Sequence, residues 1–342
     1  MRTWEIAIAA SLGAFAWACD TADGTEGSSC PNTNNCIMPL VCIDNICQQP
    51  PAERDGGAPP RDGGVVRDGG PPRDGGIEYD QAFNGGSFTV TPAGTTAGFD
   101  QMTGTAAMVR EDTGYTDVRV EVAGLTPDTT FATHVHDAPC NDNGGGPHYK
   151  IDEMEMDTIE SNEIWPNIDV NTDGDGVGLI RVNHYARPSA TSVVIHEPMM
   201  AERIACADLS PNADLTGSGT FVELAAGVGR GITGTAELRR YPGGTQASVT
   251  LMGNLTADTT YPIHVHASPC DVNNGGPHYK IDADENETIE ENEIWPSATA
   301  DGTGTMAMGT ATTPHIARFE AASLVVHDPD NGDRLLCADL WW

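Results

Sequence analysis

The chain repeats itself. GGPHYKID stands at 145–152 and again at 275–282, and the strings around it recur at the same distance. THVHDAPC at 133–140 answers IHVHASPC at 263–270. TIESNEIWP at 158–166 answers TIEENEIWP at 288–296, and VVIHEPMMAERIACADL at 193–209 answers LVVHDPDNGDRLLCADL at 324–340. The offset is 130 residues early and 131 late. Two copies of about 120 residues are too few and too long for a solenoid. Each is therefore expected to be a complete domain, the first at 83–210 and the second at 217–342.

Within a copy the pattern is strand. TDVRVEV at 116–122 puts Val118, Val120 and Val122 on one face and Asp117, Arg119 and Glu121 on the other, and QASVTL at 246–251 alternates in the same way. YPGG, GLTPDTT and NTDGDG separate such runs, and Gly and Pro together number 62. Short strands with Gly-rich turns predict a β-sandwich or barrel. DVNTDGDG at 169–176 is expected to be a hairpin turn. As a calcium loop it lacks the closing Glu, its twelfth position being Ile180, and the second copy lacks the pattern.

The N-terminus, MRTWEIAIAASLGAFAWACD, places one Arg before a short apolar run and a small-residue cleavage site, which predicts an export signal at 1–18. AWAC also resembles a bacterial lipobox that would lipidate Cys19, and ordinary cleavage leaving Cys19 free is the alternative. Setting Cys19 aside leaves eight cysteines, an even number suited to an oxidising compartment. Four of them, at 30–47, predict a disulfide knot within 19–50; they contain no C-x-x-C pair of the kind a zinc site would use. Four RDGG units in 51–82 predict a disordered stalk. These expectations together describe an exported protein of a bacterial cell envelope, periplasmic or on the outer surface, touching a membrane only through an N-terminal lipid. The formal charge of −33 argues against a nucleic-acid partner. The sequence leaves the oligomeric state open.

All ten histidines fall in the duplicated part, and each has a counterpart. His134 and His136 match His264 and His266; His148 matches His278, His184 matches His315, and His196 matches His327. H-V-H on a strand aims two imidazoles at one point, where a lone strand histidine would more often be structural. An all-imidazole set suits Cu, Zn, Ni or Fe.

HVH, then Cys, then GPH, then VVH, then R-x-x-C, in that order and in both copies, closely resembles the Cu/Zn superoxide dismutases. GLTPDTTFATHVH and GNLTADTTYPIHVH are similar to that family's run into its first copper ligands. The resemblance covers nearly all of both copies. It implies an all-β architecture of two tandem Greek-key eight-stranded barrels. It implies one copper per domain, bound by His134, His136, His148 and His196 and by His264, His266, His278 and His327. It implies the disulfides Cys140–Cys206 and Cys270–Cys337, and active-site arginines at Arg203 and Arg334.

The departures from the family pattern are specific. No histidine lies between His148 and His184 or between His278 and His315, and Ile164 or Ile294 stands where the family's zinc Asp would align. Met200 or Asn331 replaces the Asp that links the two metals, and only seven positions separate the last ligand histidine from the arginine. Zinc is therefore not expected, and the pattern resembles the copper-only branch of the family. A ligand imidazole still needs an acceptor for its other N–H. Glu163 and Glu293 are the candidates for orienting His148 and His278, the alternative being that these acids face solvent. Trp165 and Trp295 read as packing residues. Lys150 and Lys280 read either as aids to anion attraction or as ordinary surface residues. His184 and His315 read as hydrogen-bonding loop residues, the sharper alternative being an extra ligand. The resemblance implies an enzyme that converts superoxide to O₂ and hydrogen peroxide by copper redox cycling, with His148, His278, Arg203 and Arg334 as its catalytic groups. The alternative is a non-enzymatic protein that binds and buffers copper, which would have no need of the arginines.

Overall fold

The structure, a computed structural model, describes residues 41–43, 46–48, 79–283, 285 and 288–342. The expected export signal, the Cys19 anchor and most of the cysteine knot and RDGG segment lie outside the described residues. A short antiparallel ladder, β1 (Val41–Ile43) with β2 (Ile46–Gln48), sets Cys42 opposite Cys47. It belongs to a different unit from the duplicated body.

The body is all-β. The first copy runs β3 (Ala82–Ser87), β4 (Thr89–Val90), β5 (Thr103–Arg110), β6 (Thr116–Ala123), β7 (Thr130–Phe131), β8 (Thr133–His136), β9 (Ile168–Val170), β10 (Gly176–Val182), β11 (Ser192–His196) and β12 (Arg203–Asp208). The second runs β13 (Leu215–Thr220), β14 (Val222–Glu223), β15 (Ile232–Tyr241), β16 (Gly244–Gly253), β17 (Thr260–Tyr261), β18 (Ile263–His266), β19 (Ala298–Ala300), β20 (Met306–Thr313), β21 (Ser323–His327) and β22 (Arg334–Asp339). Each copy forms a six-stranded and a four-stranded sheet, ordered β3-β5-β6-β10-β9-β7 and β4-β12-β11-β8 in the first and equivalently in the second. Every pairing is antiparallel. β7, β9 and β10 are successive neighbours and β10 returns beside β6, which is a Greek-key connection.

The expected eight-stranded barrel differs from this in one respect. The ladders make two sheets, and no hydrogen-bonded closure into one barrel joins them among the described residues. The physical reason lies at the corners. β3 and β4 are parted only by Phe88, and β7 and β8 only by Ala132, so each pair is one bent strand that leaves one sheet and enters the other. Counted that way, each copy has eight strands.

Alternation puts one side of each strand between the two sheets. In the first copy Val118, Val120, Phe131, Val135, Ile164, Val193 and Ile195 are buried together, and Val249, Leu251, Tyr261, Val265, Ile294, Leu324 and Val326 repeat that core in the second. A third cluster lies between the copies. Phe83, Ala107 and Val109, on the outer face of the first copy's large sheet, meet Ile316 and Phe319 of the second, with Trp342 packed against them. The Trp342 N–H donates to Glu121 at 2.7 Å, and the Arg119 guanidinium lies over the rings of Trp341 and Trp342. Gln81 bonds both the His315 ring and the Ile316 N–H. The two copies thus share a joint that is buried and largely polar at its rim.

Candidate metal centres

β8 supplies two of four histidines. His134 and His136, two apart, face the same way, and β11 beside it brings His196. The β11–β12 register shifts between Ile195 and His196, and the second copy shifts at Val326 and His327. A bulge of this kind re-aims the side chain that follows it. The fourth histidine comes from the octapeptide. The Tyr149 N–H bonds the Val135 carbonyl and the Asp137 N–H bonds the Pro147 carbonyl, so His148 pairs across from His136. Gly145 and Gly146 allow that approach. Both have positive φ, +105° and +66°, and a Cβ on Gly145 would stand 2.8 Å from Val194 and 2.9 Å from Ser192. Gly275 and Gly276 repeat this geometry in the second copy.

The result is two sets of four imidazoles, His134, His136, His148 and His196, and His264, His266, His278 and His327. The candidate ligand atoms of each set lie within 4.8 Å of one another. Backbone carbonyls fix which nitrogen faces inward. His136 Nδ1 donates to the Gly146 carbonyl at 3.1 Å and His196 Nδ1 to that of Ala201 at 3.0 Å. Their Nε2 atoms then stand 3.4 Å apart with no proton between them. In the second copy His266 Nδ1 bonds Gly276, His327 Nδ1 bonds Gly332, and the Nε2 atoms are 3.3 Å apart. Buried nitrogens face one another here without a donor, which is costly unless something positive sits among them.

His134 Nδ1 makes the same point, since it is buried with no hydrogen-bond partner. Burial, and then the neighbouring imidazoles, push His134 and His264 down to about 3. Burial also pushes His136 and His266 to about 2 and lowers His196 and His327. Neutral imidazole is the form that ligates a metal. The donor set therefore fits a metal ion in each copy, of the late first-row kind that imidazole suits.

His148 Nδ1 donates to Glu163 Oε2 at 2.7 Å, and His278 Nδ1 to Glu293 Oε2 at 2.8 Å. Both carboxylates are buried. The Val135 N–H bonds the Ile164 carbonyl, which runs the NEIWP segment alongside β8 and turns Ile164 into the core. Burial opposes the charge on Glu163 and Glu293. Hydrogen bonds from Lys150 or Lys280, from Trp165 or Trp295 and from the histidine outweigh it and hold both below the ordinary glutamate value. Trp165 Nε1 donates at 2.7 Å and Trp295 Nε1 at 2.6 Å, so these tryptophans do more than pack. Their rings also lie against His134 and His264. An indole packed at a site's edge must still place its N–H, and that need was the available signal. Lys150 and Lys280 are tied to the same carboxylates and are not loose surface charges.

Arg203 lies on β12 opposite His196. Its Nη1 donates to the Asn143 carbonyl at 2.6 Å, as Arg334 Nη1 does to Asn273 at 2.7 Å. Arg203, His148, Lys150 and Arg187 line one open cleft of about 470 Å³ with Asp137 and Glu153. His184 and His315 lie outside both ligand sets. Their Nε2 atoms stand 2.7 Å from the Tyr149 and Tyr279 hydroxyls, which makes them hydrogen-bonding loop residues. The 169–176 stretch is the β9–β10 turn, with Asn171 Oδ1 accepting from the Asp173 and Asp175 N–H groups.

Cys140–Cys206 and Cys270–Cys337 are disulfides, which suggests an oxidising, non-cytoplasmic environment. Among the described residues, no helix is long and apolar enough to cross a membrane. No protein-family model matches the chain, and no curated protein matches it.

Proposed function

We propose that each copy binds one copper ion through its four histidines and that the protein dismutes superoxide. The observation that carries this reading is the duplicated set of four converging imidazoles, each set with an arginine on the neighbouring strand. Bound there, copper would supply the one-electron oxidation of one superoxide and the one-electron reduction of a second. Two superoxide ions and two protons thereby give O₂ and hydrogen peroxide. Arg203 and Arg334 hold and orient the anion. Nη1 of each guanidinium donates to loop carbonyls, which leaves its other N–H groups for the anion, and a guanidinium carries its positive charge at any relevant pH. This local charge acts inside a background of −33 whose far field salt screens over about 10 Å at 0.1 M. His148 and His278 keep Nδ1–H on a glutamate, so Nε2 is the atom at which this chain takes up and gives back a proton.

Glu163 and Glu293 stand where a second metal would otherwise have to orient these histidines, which supports a centre without zinc. The exported, lipid-anchored location is part of the same proposal and agrees with the two disulfides.

The experiment is metal analysis of protein loaded with copper and zinc together, with a dismutation assay in parallel. Two copper and no tightly held zinc per chain are expected, with activity lost in the Arg203→Ala/Arg334→Ala double variant. Copper bound without arginine-dependent activity would mean a copper-buffering protein instead, and stoichiometric zinc would refute the account of the second site.

A further inference from the structure

The two centres share their ligands and differ at their rims. Around the first stand four methionines, exposed to 88% (Met154), 81% (Met156), 90% (Met199) and 72% (Met200). Aligning His148 with His278 and His196 with His327 puts Asp284, Asn286, Asp330 and Asn331 at the same four positions of the second copy. In the sequence of the second copy every one of these thioethers is replaced by an acid or an amide.

These methionines sit on the two loops that carry the ligands. Met156 lines the same cleft as His148 and Arg203. Met199 and Met200 lie in the short turn between His196 and Arg203. Glu197 accepts both of their N–H groups, which fixes the turn and leaves the side chains outside it. The next residue, Ala201, holds His196 by its carbonyl. Large apolar side chains at such exposure gain nothing from burial. What a flexible thioether offers in water is a soft, neutral donor, and soft donors select Cu(I) over the harder divalent ions.

We infer that the methionine rim is an entry site for cuprous ion, which it takes up and passes to the histidines of the first centre. The second copy, whose sequence has no methionine at these four positions, fills by a different and slower route. The transfer changes ligands only; copper enters and leaves the rim as Cu(I), and no electron moves. The inference rests on the copper reading above.

The test follows Cu(I) moving without oxygen from its coloured bicinchoninate complex to the full-length chain. The parent is expected to take up two equivalents in two phases, one fast and one slow. Met154→Leu/Met156→Leu/Met199→Leu/Met200→Leu keeps shape and charge and removes only sulfur. In that variant the fast phase should slow severalfold while the final two equivalents remain. Met252→Leu/Met306→Leu/Met308→Leu removes three other exposed methionines, on the second copy's large sheet, and should change nothing. An unaltered fast phase in the four-leucine variant overturns the inference, as does its loss in the three-leucine control or a single-phase parent. No copper uptake in any protein would instead bring down the copper reading itself.

Discussion

Glu163 shows how much one buried side chain can be asked to do. It is wholly shielded from water, a position that costs a carboxylate dearly unless every oxygen is paired. Lys150 takes one oxygen, while Trp165 and His148 share the other. The histidine is thereby held in one tautomer and one orientation, with Nε2 turned to the centre. Glu163→Gln keeps the volume and removes the charge, and its amide must set a donor against His148 or Lys150. The expected result is copper binding weakened by about 10- to 100-fold at the first centre alone, the usual cost of losing such a partner. Glu293 is untouched, so a titration of the variant should split into a tight and a weak step. A single unchanged step would show that the carboxylate does not govern His148. The histidines were legible because H-V-H on a strand has one geometric meaning. Glu163 was legible as a recurring acid and as a candidate acceptor for His148, whereas the hydrogen bond of Trp165 was not legible, because an indole counts as core until its N–H is found a partner.

Elements place these groups through a few covalent and conformational constraints. The loop from β8 to His148 carries the backbone carbonyls that hold His136 and Arg203, so its position sets three functional side chains at once. Two ties fix it to β12, the Cys140–Cys206 disulfide and the Cys140 N–H on Asp208 at 2.7 Å. The disulfide closes 66 residues, for which loop entropy alone predicts about 4 kcal/mol of stabilisation. Cys140→Ala/Cys206→Ala should therefore lower the unfolding free energy in denaturant by about 2–5 kcal/mol. An unchanged midpoint would mean that the Asp208 tie and the sheet already hold the loop. The strands themselves were readable from period-two alternation and Gly-rich turns. The bends at Phe88 and Ala132 were not, because a strand that changes sheets keeps its alternation and leaves no mark on the pattern. The bulge before His196 is silent for the same reason, since an extra residue in a ladder is defined by its partner strand.

At the scale of the whole molecule the duplication is not symmetric. Asp117, Arg119 and Glu121 alternate outward from β6, as the sequence pattern requires, yet all three are buried, because the second copy covers that face. Their counterparts Gln246, Ser248 and Thr250 are neutral and partly exposed. Charge at an outward strand position ordinarily means solvent, so the joint could not be read from one chain alone. Asp117 bears the consequence. Neither of its oxygens has a hydrogen-bond partner, and the nearest cation, Arg181, is 3.8 Å away. Burial, with Glu111 and Glu320 adding to it against Arg181 and Arg318, pushes its carboxyl up to about 8 from the ordinary 3.8. Between those values the folded chain keeps a proton that the unfolded chain has released, so the contribution to stability is complete below the unfolded value and is lost as pH rises to about 8. Asn mimics the protonated form and has nothing to release. Asp117→Asn should match the parent near pH 4, gain on it steadily as the pH is raised, and hold a constant advantage above pH 8 in denaturant unfolding. A difference between the two proteins that does not change with pH would show that Asp117 stays ionised within the joint.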